Sequence, residues 1–358
     1  MMVMVVIMAG GKGERFWPKS REEMPKQFIS LTGEDSMILA TYKRVRKWLP
    51  ADRVYVVTGA DYAAAVAGHI PEMPRENIII EPAGRNTAPC IGLAALHLEK
   101  KDPEAVMVVL PADHAIKDED EFTRCLQAAA DAAAAGENLV TIGITPTRPD
   151  TGYGYIKVGG ACPLGGHQDV YKVEAFVEKP DLARAEGYLA VGGHLWNSGM
   201  FTWQVKTIRR LIRELMPDMH QGLEEINRAW GTPAFDRVLT DEYLKFDKIS
   251  IDYGIMEQAP GVFVIPGSFG WDDVGTWNAL DRVLNPDELG NLFRGSVVSI
   301  DTRGCIIEGK TKLIAAVGVE DLVVIDTDDV MFICKKEKAQ DIKKLLEKMR
   351  AEGLQGYL

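Results

Sequence analysis

Short apolar runs rich in β-branched residues alternate with helical stretches up to residue 149. Val3–Met8 is unbroken apolar sequence and ends in Ala9-Gly10-Gly11, the pattern of a buried strand closed by a glycine loop. Residues 54–58, 78–80, 106–110 and 139–142 repeat the strand pattern. Between them, 37–49 and 88–100 have helical apolar spacing and 122–135 is alanine-rich. Strands this short and apolar, separated by helices, predict an α/β fold. The sheet should be Rossmann-like, mixed but mostly parallel, with helices on both faces. Ligands in such folds bind at the carboxyl ends of the strands.

After Pro149 the texture changes. Residues 153–158, 170–178 and 199–203 read as strands, and 181–191 and 207–216 as helices. A second change falls near Asn285-Pro286. From there on, 297–300, 305–308, 313–317, 322–326 and 330–333 are short β-rich runs, and 338–350 is a charged helix. The pattern predicts one large domain over 1–285, with two ligand-binding halves, and a small β domain over 286–358 with a terminal helix.

Composition narrows the function. Lys plus Arg total 41 and Asp plus Glu 52, a formal net charge of −11. That balance argues against nucleic acid as a partner, although a local cluster of cations on an acidic body still suits a phosphorylated small molecule. The cysteines, Cys90, Cys125, Cys162, Cys305 and Cys334, are odd in number and contain no C-x-x-C pair. Buried thiols in a reducing, cytoplasmic setting are expected rather than disulfides or structural zinc. The apolar start lacks a basic leader and is too short to span a bilayer, so no membrane association is expected.

The first strand runs into Gly10-Gly11-Lys12-Gly13-Glu14-Arg15-Phe16-Trp17-Pro18. Glycines let backbone N–H groups approach phosphate oxygens without a Cβ clash. Lys12, Arg15 and, downstream, Lys26 add positive charge. The dinucleotide fingerprint fails here, because Phe16 stands where its third glycine belongs, and no Gly-Lys-Ser/Thr of a P-loop is present. Asp113 directly follows an apolar strand, where a carboxylate faces the ligand crevice or caps a helix. Asp272 and Asp273 sit in a turn flanked by tryptophans.

The run A-G-G-K-G-E-R-F-W-P…P-K-Q-F resembles the signature loop of the sugar-1-phosphate nucleotidylyltransferases. Further motifs are similar to one branch, the mannose-1-phosphate guanylyltransferases. They are E-P-A-G-R-N-T-A-P at 81–89, P-A-D-H at 111–114, T-G-Y-G-Y-I at 151–156, V-E-K-P at 177–180, W-N-S-G-M-F at 196–201 and W-D-D-V-G-T-W at 271–277. The resemblance covers roughly residues 3–335, in order.

It implies GMP transfer from GTP to mannose 1-phosphate, giving GDP-mannose and pyrophosphate. The attacking sugar phosphate is already anionic, so catalysis should rest on positioning and charge neutralisation rather than on a base. The resemblance places the metal on Asp113 and Asp273, with Mg²⁺ expected and Mn²⁺ as the alternative. Relatives often carry Ser or Asn at the position of Asp272, which makes Asp272 the weaker candidate. His114 is read as structural or substrate-orienting.

By the same resemblance Arg15, with the amides of Gly10, Gly11 and Gly13, would meet the departing pyrophosphate, and Lys26 the α-phosphate. Glu178 would bind sugar hydroxyls and Lys179 the sugar's phosphate, so Arg15, Lys26, Asp113 and Lys179 are the catalytic candidates. Asn197 offers donor and acceptor to hydroxyls, and Gly154 permits close approach to the sugar ring. Guanine presents two adjacent donors, N1–H and N2–H₂, which one carboxylate can accept, and Glu81 is the candidate. Arg85, Asn86 and Thr87 complete that loop's contacts, with Thr87 equally suited to capping the following helix.

The small C-terminal domain resembles the family's β-helix-like tail. Its terminal helix alternates Lys335, Lys336, Lys338, Lys343, Lys344, Lys348 and Arg350 with acidic residues, which reads as a solvated face. Ile342, Leu345, Leu346 and Met349 give it one apolar face, to be covered by its own domain or by a second copy in a homodimer. The chain ends at Leu358, and phosphomannose isomerase activity is not expected. Competing readings are transfer to another hexose or heptose 1-phosphate, and a non-catalytic nucleotide-sugar sensor. The retained cations and carboxylates disfavour the sensor.

Overall fold

In the computed structural model, which describes residues 1–11 and 13–358, two compact units each have their own core. Lys12 lies outside the described residues. One unit comprises Met1–Gly10, Tyr42–Ala112 and Asp118–Phe269; the other comprises Gly11–Thr41, Asp113–Lys117 and Gly270–Leu358.

The larger unit is built on β1 (Val3–Met8), β2 (Val54–Gly59), β3 (Ile78–Glu81), β4 (Val106–Pro111), β5 (Leu139–Ile144), β6 (Tyr155–Ala161), β7 (Tyr171–Val177), β8 (His194–Gln204) and β9 (Val262–Gly267). They form one nine-stranded sheet in the order β3-β2-β1-β4-β8-β5-β9-β7-β6. The strands β3, β2, β1 and β4 are mutually parallel, as their unbroken apolar runs require when both faces are covered. Beyond β4 the sheet is mixed: β8 lies antiparallel between β4 and β5, β9 is parallel to β5, and β6 and β7 pair antiparallel.

The helices of this part of the chain are α1 (Met37–Arg46), α2 (Ala63–His69), α3 (Thr87–Glu99), α4 (Glu119–Ala134), α5 (Leu182–Val191), α6 (Val205–Leu215), α7 (Pro217–Ala229) and α8 (Phe235–Tyr243). Alternate strand residues point to opposite faces. Met4, Val6, Tyr55, Val57, Met107 and Val109 join a core with α3, α6, α7 and α8. Their neighbours Val5, Ile7, Val54, Val56 and Val108 are also fully buried, facing the other way, and α4 packs across β4, β5, β8 and β9.

Expected and observed elements differ most in the middle third. The expected strand 199–203 is only the end of the eleven-residue β8. Gly199, at φ +68, where the expected strand begins, sits inside β8, where its pairing with β5 shifts register. Such a bulge bends a strand without ending it and re-aims nearby side chains. Strand β9 and helices α2, α7 and α8 have no counterpart in the sequence pattern described above.

The smaller unit holds β10 (Leu292–Arg294), β11 (Val297–Ile300), β12 (Ile306–Glu308), β13 (Ile314–Val317), β14 (Leu322–Asp326) and β15 (Met331–Lys335), with α9 (Leu280–Val283) and α10 (Ile342–Ala351). β10, β12 and β14 stack in parallel, as do β11 and β13, and β15 closes the first stack antiparallel. Short parallel strands stacked by successive turns of chain make a β-helix-like domain. The buried face of α10, Ile342, Leu346 and Met349, joins Phe16, Trp17, Val274 and Trp277 in this unit's own core. Those three are therefore covered from within the chain, whereas Leu345, the fourth residue of the expected apolar face, is exposed. All five cysteines are free thiols, and among the described residues no helix is long and apolar enough to cross a membrane.

Candidate active site

In the smaller unit a cavity of about 370 Å³ is lined by Gly13, Arg15, Phe16, Lys26, Asp113, His114, Asp273 and Lys343, among others. Lys26 is only 6% exposed. Its ammonium donates to Asp113 Oδ2 at 2.8 Å and to the backbone carbonyl of Asp273 at 2.6 Å. Gly13 has φ +58, and a Cβ there would fall 2.4 Å from the Lys26 nitrogen, so only glycine lets the loop close on Lys26. Gly11, two positions earlier, has φ +101.

Desolvation pushes the Asp113 carboxyl upward. The attraction of Lys26 and of His114, the Lys26 hydrogen bond and a backbone hydrogen bond outweigh that and hold it below the usual carboxylate value. Asp113 is thus ionised at neutral pH. The Trp271 indole N–H donates to His114 Nδ1 at 3.0 Å, so in the neutral ring the proton is on Nε2.

The paired aspartates divide. Asp272 is buried, with its carboxylate held by Arg282 at 2.6 and 3.0 Å and by the Val274 N–H at 2.9 Å. Asp273 instead lines the cavity, and its Oδ1 accepts from the Gly275 N–H at 3.2 Å. Between them and Gly275, Val274 is fully buried at φ +48, a conformation costly for a β-branched residue and held by the packing and the Asp272 contact. Asp113 and Asp273 therefore bring two carboxylates to one partly open cavity. Among the described residues no group of three or more His, Cys, Asp or Glu is placed to hold a metal. Two protein oxygens completed by phosphate oxygens and water fit a hard divalent cation.

The larger unit holds two further constellations. Glu81, at the end of β3, is 6% exposed and accepts the Tyr243 hydroxyl on Oε2 at 2.8 Å. Its Oε1 lies 3.3 Å from where a Cβ on Gly10 would stand. Burial raises the Glu81 pKa, and the Tyr243 hydrogen bond only partly offsets this. Asn86, at φ +70, caps α3 by accepting from the Thr87 N–H at 2.8 Å. Thr87 is thus the first residue of α3, and its hydroxyl accepts from the Ile251 N–H at 2.9 Å. Arg85 is drawn to the Leu244 carbonyl. The loop 81–87 is consequently fastened to the segment 243–251.

The third constellation gathers Gly154, Glu178, Lys179 and Asn197. A Cβ on Gly154 would fall 2.8 Å from Glu178 Oε2 and 3.6 Å from the Asn197 Cβ. Asn197 donates its backbone N–H to the Gly154 carbonyl at 2.8 Å and its side-chain amide to Asp252 Oδ1 at 2.7 Å. Its Oδ1 accepts from the Gly199 N–H at 3.1 Å, which fixes the amide's orientation. Lys179 is exposed, pairs with Glu178 at 3.2 Å and has φ +40. Three of the five non-glycine residues at positive φ among the described residues, Asn86, Lys179 and Val274, thus belong to or adjoin these constellations.

Tyr243, Asp252 and Lys343 are not among the sequence candidates. Tyr243 and Asp252 lie in stretches with no recognised motif. Lys343 reads from sequence as one of a solvated lysine series; it is exposed but lines the cavity.

Comparison with known proteins finds two family matches along the chain. The Nucleotidyl transferase family matches residues 4–288, and the MannoseP isomerase/GMP-like beta-helix domain matches residues 295–349. A Salmonella montevideo mannose-1-phosphate guanylyltransferase is 40% identical over 98% of this chain and 75% of its own length. An Escherichia coli K12 mannose-1-phosphate guanylyltransferase is 39% identical over 97% of this chain and 73% of its own. A crystal structure from Thermus thermophilus, described as mannose-1-phosphate geranyltransferase, superposes with a TM-score of 0.88 at 36% identity and covers 98% of this chain and all of that one.

Proposed function

Because this chain belongs to the nucleotidyl transferase family, in the branch of the mannose-1-phosphate guanylyltransferases, we propose that it transfers GMP from GTP to mannose 1-phosphate. The sugar phosphate oxygen forms a bond to the α-phosphorus. The bond from that phosphorus to the bridging oxygen breaks, and pyrophosphate leaves with the electron pair. No proton need move, so the task is to bring two anions together and neutralise the charge that departs.

The observation that carries this reading is the cavity around Lys26, in which exposed Arg15 and buried Lys26 face two carboxylates. In this reading Lys26 neutralises the α-phosphate and Arg15 the leaving group. Asp113 and Asp273 would hold a divalent cation, and Mg²⁺ is the ion we assign. When bound, it supplies charge neutralisation and a template for the phosphate oxygens. Glu81 reads the two donors of guanine with a carboxylate oriented by Tyr243. Asn86 and Thr87 shape that loop, and Arg85 braces it. Glu178 and Asn197 bind sugar hydroxyls, and Lys179 takes the sugar's phosphate.

We further assign 1–285 to the catalytic domain and 286–358 to the small β domain, and place the protein in the cytoplasm, where its free thiols stay reduced. A homodimer is the assembly we favour. On the β11–β13 pair, Val298, Ile300 and Val317 are exposed, and Ile300 stands opposite Val317 in register. An apolar sheet face of this kind suits a second copy. Light scattering should give twice the 39.5 kDa chain mass, and Ile300→Asp should shift it to monomer.

The reaction is tested by pyrophosphate release across GTP, ATP, UTP and dTTP with mannose 1-phosphate or glucose 1-phosphate. Release dominated by GTP with mannose 1-phosphate, and lost on removing divalent ions, supports the reading. Release dominated by another pair overturns the substrate assignment, and binding of GDP-mannose without any release overturns catalysis.

A further inference from the structure

We propose that Lys343, on the C-terminal helix α10, is a phosphate-binding residue of the nucleotide cavity, taking the outer phosphates of the nucleoside triphosphate and the pyrophosphate that leaves. This deepens the nucleotidyl-transfer reading and rests on it. The terminal helix of the β domain thereby contributes directly to substrate binding.

The placement of α10 is tight. Ile342, Leu346 and Met349 are buried in one core with Phe16 and Trp17, the residues that follow Arg15 in the signature loop. Arg350 donates to Glu14 Oε1 at 2.7 Å across 336 residues of sequence. The Trp17 indole N–H donates to the Tyr357 carbonyl at 2.7 Å. The loop carrying Arg15 is thus held by the last turns of the chain. With positions 342, 346 and 349 turned inward, Lys343 falls on another side of α10 and lines the cavity with Arg15, Lys26, Asp113 and Asp273.

Charge pairing separates Lys343 from its neighbours. Lys344 pairs with Asp341, Lys348 with Glu352, and Arg350 with Glu14 and Glu22. Within the cavity, Lys26 is committed to Asp113. Among the described residues Lys343 and Arg15 have no carboxylate partner. Two exposed cations without counter-charges, lining the same cavity, favour a polyanion. A flexible ammonium is suited to the terminal phosphates, whose charge grows as the α–β bridge breaks.

The test is steady-state kinetics of the full chain in both directions, with Lys343→Ala, Lys343→Arg and, as a control, Lys344→Ala. Lys343→Ala should raise KM for GTP, and for pyrophosphate in the reverse reaction, by about tenfold, the scale of one charged contact. KM for mannose 1-phosphate and the melting temperature should hold, because Lys343 is exposed. Lys343→Arg should recover most of the loss. Values for Lys343→Ala within twofold of wild type for both GTP and pyrophosphate overturn the proposal. If the unmodified protein releases no pyrophosphate from GTP, the transfer reading has failed. Calorimetry with inorganic pyrophosphate then decides Lys343 separately: weaker binding by Lys343→Ala supports its role, and equal binding overturns it.

Discussion

Lys26 Nζ and Asp113 Oδ2 stand 2.8 Å apart, an ion pair closed across 87 residues of chain, and the same ammonium reaches the Asp273 carbonyl. One lysine thereby braces both proposed metal ligands. Lys26→Met should cut kcat by about 10²–10³, the scale of one positioned charge-stabilising donor. It should also lower stability, by about 1–2 kcal/mol rather than the larger cost of a fully buried pair, since Asp113 remains 35% exposed and screened. Asp113→Asn should cost comparable activity and weaken divalent-ion binding measured by calorimetry. Retention of activity in both variants would remove this cavity from the reaction.

Glu81 and Tyr243 give a prediction on base choice and pH. In its proposed base-reading role Glu81 must be ionised to accept guanine's two donors, so its raised pKa should set an acid limit on GTP binding. The Tyr243 hydrogen bond lowers the pKa, so Tyr243→Phe should raise it further and move the acid limb of kcat/KM for GTP to higher pH. At neutral pH the lost hydrogen bond should raise KM for GTP about fivefold. Glu81→Gln, which puts a donor against guanine's donors, should erode GTP-over-ATP selectivity. An unchanged pH profile in Tyr243→Phe would show that Glu81 does not read the base.

Gly154 bears on the sugar. A methyl group there would stand 2.8 Å from Glu178 Oε2, closer than van der Waals contact allows, so the carboxylate must move. Gly154→Ala should raise KM for mannose 1-phosphate by about tenfold and leave KM for GTP alone. Asp252→Ala, which frees the Asn197 amide, should act in the same direction.

His97 predicts an acid-stability slope unrelated to catalysis. Burial lowers its pKa from 6.5 to about 4, and its ring packs edge-on against Trp230. A histidine depressed in the native state binds protons more readily when unfolded. Stability is therefore full above about pH 6.5 and falls as pH drops toward 4, by up to about 3 kcal/mol. Chemical denaturation of His97→Gln across this range should show a shallower loss than the unmodified chain. Parallel slopes would assign the acid lability to other groups.

Local pattern alone determined the parallel half of the sheet. Val3–Met8 is apolar at every position because both of its faces are covered, and that signature is readable without any partner. The candidate residues were picked out by short motifs that resemble a known family, because a lone carboxylate after a strand or a lysine after glutamate reads by itself as a cap or a surface pair. Tertiary structure decided which of them meet. Gly13, Lys26, Asp113 and Asp273 come together only after folding, as do Glu81 with Tyr243 and Asn197 with Asp252. No periodicity encodes contacts between residues so far apart in the chain. It also decided which of Asp272 and Asp273 lines the cavity, since the Arg282 contact that occupies the first arises from packing. Lys343 shows the limit most sharply: a lysine in a charged helix reads as solvated until the core beneath that helix turns it toward the cavity.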